Sequence, residues 1–246
     1  MAREPEKDRA PSRASALARQ PGERWGQFAE RIGNAFGLVL LLVLSTYVLE
    51  SLIPFHGWTA VLTTVVASTA ALVGLASAGA RRPMIRLAAG LAVAAVVLAA
   101  LSAIGDHPRL LGASAFAQTA LLLFAAGAVL RSILAETQVG FRSILGAISV
   151  YMILGLLFTF LYAALDRVQS TPFFVQGSVK GGDIVFFSFT TLTTTGYGNL
   201  VPAGQPGRMF AGLEMLMGQI FLVTLVAGLV SLWRPGALAR RRRGSS

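Results

Sequence analysis

Gly182-Asp183-Ile184-Val185-Phe186-Phe187-Ser188-Phe189-Thr190-Thr191-Leu192-Thr193-Thr194-Thr195-Gly196-Tyr197-Gly198-Asn199-Leu200-Val201-Pro202 reads neither as a membrane-crossing helix nor as a surface loop. Its apolar part, Ile184 to Thr193, is about ten residues long, half of the roughly 20 that a helix needs to cross a hydrocarbon core about 30 Å thick. Asp183 is placed to satisfy first-turn N–H groups that lack partners, which predicts a short helix that enters an apolar layer and stops partway. After it, Thr194-Thr195-Gly196-Tyr197-Gly198 alternates glycines with larger residues. Glycine reaches left-handed backbone without a Cβ penalty, and alternating it with ordinary residues lets successive carbonyls point to one side. Non-helical backbone at that depth is tolerated only where it is buried in protein or lines a water-filled cavity.

The surrounding chain supplies the apolar layer. Of 246 residues, 54% belong to the set AVILMFWYC and only 13% are charged, against about 25% charged in an average soluble chain. Mean hydropathy is +0.67. There are no cysteines, so disulfides and cysteine metal sites are excluded. Six runs are long enough to cross: Gly33 to Pro54, Trp58 to Gly79, Ile85 to Ile104, Leu110 to Leu130, Ile144 to Leu165, and Met209 to Trp233. The fold class is therefore an all-α integral membrane protein, with six transmembrane helices plus the short re-entrant helix and the extended segment after it. Residues 1–31, polar and doubly charged with Pro5, Pro11 and Pro21, read as a disordered tail and do not resemble a cleavable signal peptide.

Orientation follows from the loops that hold Lys and Arg. With the N-terminus in the cytoplasm, the inner side receives seventeen of the 21 basic residues, and the outer side keeps Arg109, Arg167, Lys180 and Arg208. Both termini are then cytoplasmic, in a multi-pass protein of the plasma membrane. The net charge of +10 becomes an insertion signal, which removes the case for a nucleic-acid partner. The run Arg240, Arg241, Arg242, Arg243 in the basic tail 234–246 is either a topology anchor or a contact for anionic lipid headgroups.

Thr194-Thr195-Gly196-Tyr197-Gly198 resembles the selectivity filter of potassium channels, a family in which a line of carbonyls replaces the water around a dehydrated cation. The resemblance spans the last two apolar runs and everything between them, roughly a third of the chain. It implies a pore domain over 144–233 made of outer helix, pore helix, filter and inner helix. It further implies K+ sites at the carbonyls of Thr194, Thr195, Gly196 and Tyr197, with the Thr194 hydroxyl innermost and the Gly198 carbonyl at the outer mouth. No other cofactor is implied. Tyr197 would pack outward on pore-helix aromatics, Phe186 and Phe187. Two positions depart from the common pattern: Thr195 stands where Val is usual, and Asn199 where Asp is usual. Threonine supplies the same carbonyl and a β-branched shape, whereas Asn199 lacks a carboxylate to attract cations. One filter strand per chain implies a homotetramer.

In the sixth run Gly218 lies 24 residues after Thr194. A gating hinge, as the family resemblance suggests, or close helix packing would each account for it, and Gly228 is a second hinge candidate. Glu214 is an acid inside the same run and needs a partner there, expected behind the pore helix at Thr190 or Thr191, the alternative being a place on the cavity wall. Glu50 receives no assignment.

Residues 32–130 resemble a four-helix voltage-sensor domain. In such a sensor each arginine moved through the field contributes about 2.3 kcal/mol per 100 mV. The fourth run has none; Arg109 and Arg131 only bracket it, and its polar members are Ser114, Gln118 and Thr119. Steep voltage gating is not expected. The linker 131–143, with Ile133, Leu134 and Phe141, reads as an interfacial helix. Thirteen residues follow Trp233, too few for a regulatory domain.

Rival classes fare worse. An enzyme needs titratable groups in its spans, and the two histidines, His56 and His107, fall in outer loops. A secondary transporter would show repeats or paired broken helices. A non-selective or sodium-conducting channel of the same fold is the main alternative, since Thr195 and Asn199 both touch selectivity.

Overall fold

A computed structural model describes residues 21–52, 57–105, 107–135, 141–177 and 179–232, with side chains from Phe36 onward except at positions 141, 226 and 229–232. The described residues form seven α-helices: α1 Pro21–Leu52, α2 Gly57–Ser77, α3 Arg82–Gly105, α4 Pro108–Leu134, α5 Phe141–Val168, α6 Gly181–Leu192 and α7 Gln205–Leu232. Among them there is no strand; one isolated antiparallel bridge joins Phe174 to Pro202.

Five helices, α2 to α5 and α7, are long and apolar enough to cross a membrane. In α1 the described apolar part, Phe36–Leu52, falls short of that length, so six crossings exceed what the described residues carry. The basic tail 234–246 lies outside them.

Two boundaries move. α1, Pro21–Leu52, takes in residues 21–31 of the stretch expected to be disordered. Ile133 and Leu134 belong to α4 and Phe141 begins α5, so the apolar residues expected in an interfacial helix lie in the two long helices, while 136–140 lie outside the described residues.

α2, α3 and α4 meet through small residues. Ala67, Ala70 and Ala71 of α2, Ala88, Ala92, Ala95 and Ala99 of α3, and Ala115, Ala125 and Ala126 of α4 are all buried. In an apolar solvent, helix association relies on close van der Waals approach, and short side chains permit it. Two polar contacts in these faces cross between helices. Ser68 Oγ donates to Gln118 Oε1 at 2.9 Å and Ser114 Oγ to the Ala95 carbonyl at 2.7 Å. α4 thus carries a hydrogen-bonded buried face where a charged sensor would carry arginines.

α5 lies at the centre, packed on α4, α1, α6 and α7. Arg142 stacks over the Phe36 ring at 5.0 Å, joining the N-terminal end of α5 to α1. At the C-terminal end of α1, a Cβ on Gly182 would lie 2.6 Å from the Ser51 carbonyl oxygen. Tyr47 of α1 meets Phe189 of α6 edge-on, with ring centroids 4.7 Å apart. α1 therefore braces the short helix along its length. Gly182→Leu is expected to separate the two and cost about 1–3 kcal/mol, read as a lower melting temperature of the detergent-solubilised protein.

Candidate functional site

The site is built on α6 and the segment that leaves it. Asp183 sits at the third helical position, and its Oδ2 accepts the Lys180 N–H at 3.0 Å, which fixes the entry. At the far end the carbonyls of Phe189, Thr190 and Thr191 accept from the chain that follows. Thr193 N–H donates to Phe189, Thr194 N–H to Thr191 at 2.9 Å, and both Thr195 and Gly196 N–H to Thr190 at 2.8 and 3.1 Å. Because a trans peptide is planar, its N–H and the preceding C=O point in opposite directions. The amides of residues 194 to 196 face α6, so the carbonyls of Thr193, Thr194 and Thr195 face away from it.

The backbone beyond alternates in hand. Among the described residues φ is +56° at Thr194, +55° at Gly196 and +76° at Gly198, while Thr195 and Tyr197 between them stay negative. Alternation of this kind keeps successive carbonyls on one side. The two glycines take the conformation freely, whereas a β-branched residue such as Thr194 does so only when its surroundings hold it. Thr193 to Asn199 are all exposed within the chain, and burial resumes at Leu200.

Tyr197 stacks on Phe186, with ring centroids 5.4 Å apart and the planes 26° from parallel. Phe187 points elsewhere. It meets Tyr162 and Phe174 at 5.2 and 5.1 Å, and Phe173 completes this buried aromatic cluster. Neighbouring helical positions lie about 100° apart, so one residue of the pair faces the extended segment and the other faces α5. Thr190 contributes its carbonyl to the extended segment, while its hydroxyl donates to the Phe187 carbonyl. Asn199 is exposed. The chain after it is tied down by Val175 N–H to Val201 O, Ala203 N–H to Phe173 O, and Val201 N–H to Gln176 Oε1.

Glu214 is fully buried, but its partners are not Thr190 or Thr191. Tyr162 Oη donates to its Oε2 at 2.7 Å, and Ser188 Oγ lies 2.6 Å from its Oε1 and 2.7 Å from the Gly155 carbonyl. Register explains the difference. Gly218 of α7 abuts the Leu192 carbonyl so closely that a Cβ would overlap it. α6 and α7 run in the same direction, so one turn earlier on each brings Glu214 level with Ser188. The same approach accounts for a glycine at 218 whether or not the helix bends there. At Gly228 an added Cβ would meet nothing within 4 Å.

Three contributors have little sequence signal. Tyr162 lies 52 residues from Glu214, with nothing local to mark the pair. Ser188 differs from the surrounding serines and threonines only by its helical phase. Gln219 donates from Nε2 to Thr194 Oγ1 at 2.8 Å, and the one available hint is a polar residue between Met217 and Ile220. Glu50, buried near the C-terminal end of α1, shares its surroundings with Thr63 of α2 and Arg167 of α5.

Residues 150–234 match a family model described as an ion channel. The match begins within α5 and takes in α6, the alternating segment and α7. Together with the apolar helices it marks the chain as a multi-pass membrane protein with an ion-conducting domain. No curated protein and no solved structure matches the chain.

Proposed function

We propose that the chain forms a homotetrameric potassium channel that conducts K+ passively across the plasma membrane, with six crossings per subunit when α1 is counted. The observation that carries this reading is the alternating backbone at 194–198, whose first carbonyls are turned away from α6 by the amides that face it. Four such strands around an axis present rings of oxygens from Thr194, Thr195, Gly196 and Tyr197 to a dehydrated cation, with the Thr194 hydroxyl innermost and Gly198 at the mouth. The C-terminal end of α6, with its partial negative charge, points toward the cavity beneath.

The uncovered face of α7 supports assembly. Met209, Leu213, Leu216, Ile220 and Val223 are exposed and recur every three or four residues, on the side opposite Ala211, Glu214 and Gly218. An apolar seam of that spacing packs well on a copy of itself. Conduction needs no cofactor beyond K+ in the filter. The cytoplasmic ends carry the basic excess, with Arg240 to Arg243 available to anionic lipids. α4 lacks basic residues between Arg109 and Arg131, so steep voltage dependence is not expected.

Thr195 and Asn199 favour one second reading, a cation channel of the same fold that does not separate K+ from Na+. Liposomes loaded with either ion decide between them. K+ efflux many times faster than Na+ efflux, and blocked by Ba2+, is expected; equal rates would favour the second reading and sink the first. In the same assay Gly196→Ala is expected to abolish K+ flux. It places a Cβ in a left-handed conformation, at about 1–2 kcal/mol for each of four strands.

A further inference from the structure

We propose that Gln219 is a positioning residue for the innermost cation site, holding the Thr194 hydroxyl ready to receive the ion; the proposal rests on the reading of 194–198 as a filter. Thr194 is the one residue other than glycine with positive φ among the described residues, at +56°. A β-branched side chain in that region is strained and persists only where the surroundings determine it. Two contacts do so. Its N–H donates to the Thr191 carbonyl at 2.9 Å, and its Oγ1 accepts from Gln219 Nε2 at 2.8 Å.

The second contact has a consequence for ligation. A threonine hydroxyl has one proton and two lone pairs. The amide of Gln219 engages one lone pair and thereby fixes the hydroxyl, leaving the other lone pair for a cation. A ligand held in this way loses no rotational freedom when the ion arrives. The placement of Gln219 depends on its neighbour: Gly218 lets α7 touch the Leu192 carbonyl, and the next residue, turned about 100°, reaches the foot of the filter. Gln219 is exposed within the chain, so the aliphatic core does not require it. A polar side chain in a run as apolar as Leu216 to Val223 is costly in lipid unless it faces water or a partner, and here it faces both the open side and Thr194.

The test uses the full-length protein in liposomes and Ba2+, a divalent cation close to K+ in radius, as the probe of the innermost site. Gln219→Leu keeps side-chain bulk and removes the donor. Ba2+ block is expected to weaken about tenfold, the loss of a hydrogen bond or two at one site, while the protein elutes as the same assembly. In a Thr194→Val background, which keeps the shape and removes the hydroxyl, Gln219→Leu is expected to change neither Ba2+ block nor the K+/Na+ flux ratio further. A wild-type protein without Ba2+-sensitive K+ flux would overturn the filter reading and this proposal with it. Normal wild-type behaviour would overturn the role of Gln219 alone if any of three results accompanied it. These are unchanged block in Gln219→Leu, an equal effect in the Thr194→Val background, or loss of the assembly in Gln219→Leu.

Discussion

Glu214→Leu is expected to destabilise the protein by about 3 kcal/mol and to abolish ion flux. The carboxyl is fully buried where α5, α6 and α7 meet, and it accepts from Tyr162 Oη at 2.7 Å. Leucine fills the volume but leaves the Tyr162 hydroxyl, itself fully buried, without that acceptor. A buried polar group deprived of its partner costs about 1–3 kcal/mol, and an apolar medium offers no water to compensate. Ser188 retains the Gly155 carbonyl but loses its tie to α7. The junction that sets the height of α7 against α6 would therefore slacken next to residues 194–198.

Glu214→Gln separates hydrogen bonding from simple packing. The Ser188 hydroxyl has one proton and lies between two oxygens, those of Gly155 and Glu214. An amide nitrogen at that point donates to Ser188, whose own proton then serves Gly155, while the amide oxygen still accepts from Tyr162. Glu214→Gln is expected to stay within about 1 kcal/mol of wild type. Thermal unfolding in detergent compares the two variants. Equal losses for leucine and glutamine would remove the hydrogen-bonding role, and Tyr162→Phe should cost little more in the Glu214→Leu background.

Gly218→Val is expected to abolish flux outright and to disperse the assembly. A Cβ at 218 would overlap the Leu192 carbonyl oxygen and lie 3.0 Å from its carbon. Overpacking against side chains typically costs about 1–3 kcal/mol, but here the obstacle is backbone and cannot rotate away. Leu192 ends α6, and its displacement is transmitted at once to Thr193 and Thr194. A pure hinge would behave differently, since Gly218→Ala would then lower only the open probability and leave assembly intact. Size-exclusion elution and liposome flux, measured on the same preparation, separate the two roles. Unaltered elution and flux in Gly218→Val would remove the packing role.

The parts legible in the sequence are those governed by local rules. The short apolar run before Thr194, the alternating glycines and the long apolar helices depend on length, spacing and backbone freedom within a few residues. Their observed bounds lie close to the expected ones, as at Gly181–Leu192 for α6. Helix over 21–31 is not legible, because mixed charge and proline also characterise disorder. Partner choice was not legible, because it depends on how far one helix slides along another. Glu214 could be seen to need a partner, yet a register fixed by Gly218 against Leu192 selects Ser188 over Thr191. Phe186 and Phe187 are adjacent and alike, and helical phase alone sends one to Tyr197 and the other to Tyr162. Gln219 carries no local signal, because its contact with Thr194 lies 25 residues away.

The most direct test of a potassium-selective pore is the reversal potential of the purified protein in a planar bilayer with K+ on one side and Na+ on the other. The current is expected to reverse far toward the K+ equilibrium potential, and its open probability to vary little with voltage. A reversal at zero would contradict potassium selectivity, and the absence of any unitary current would contradict a conducting pore.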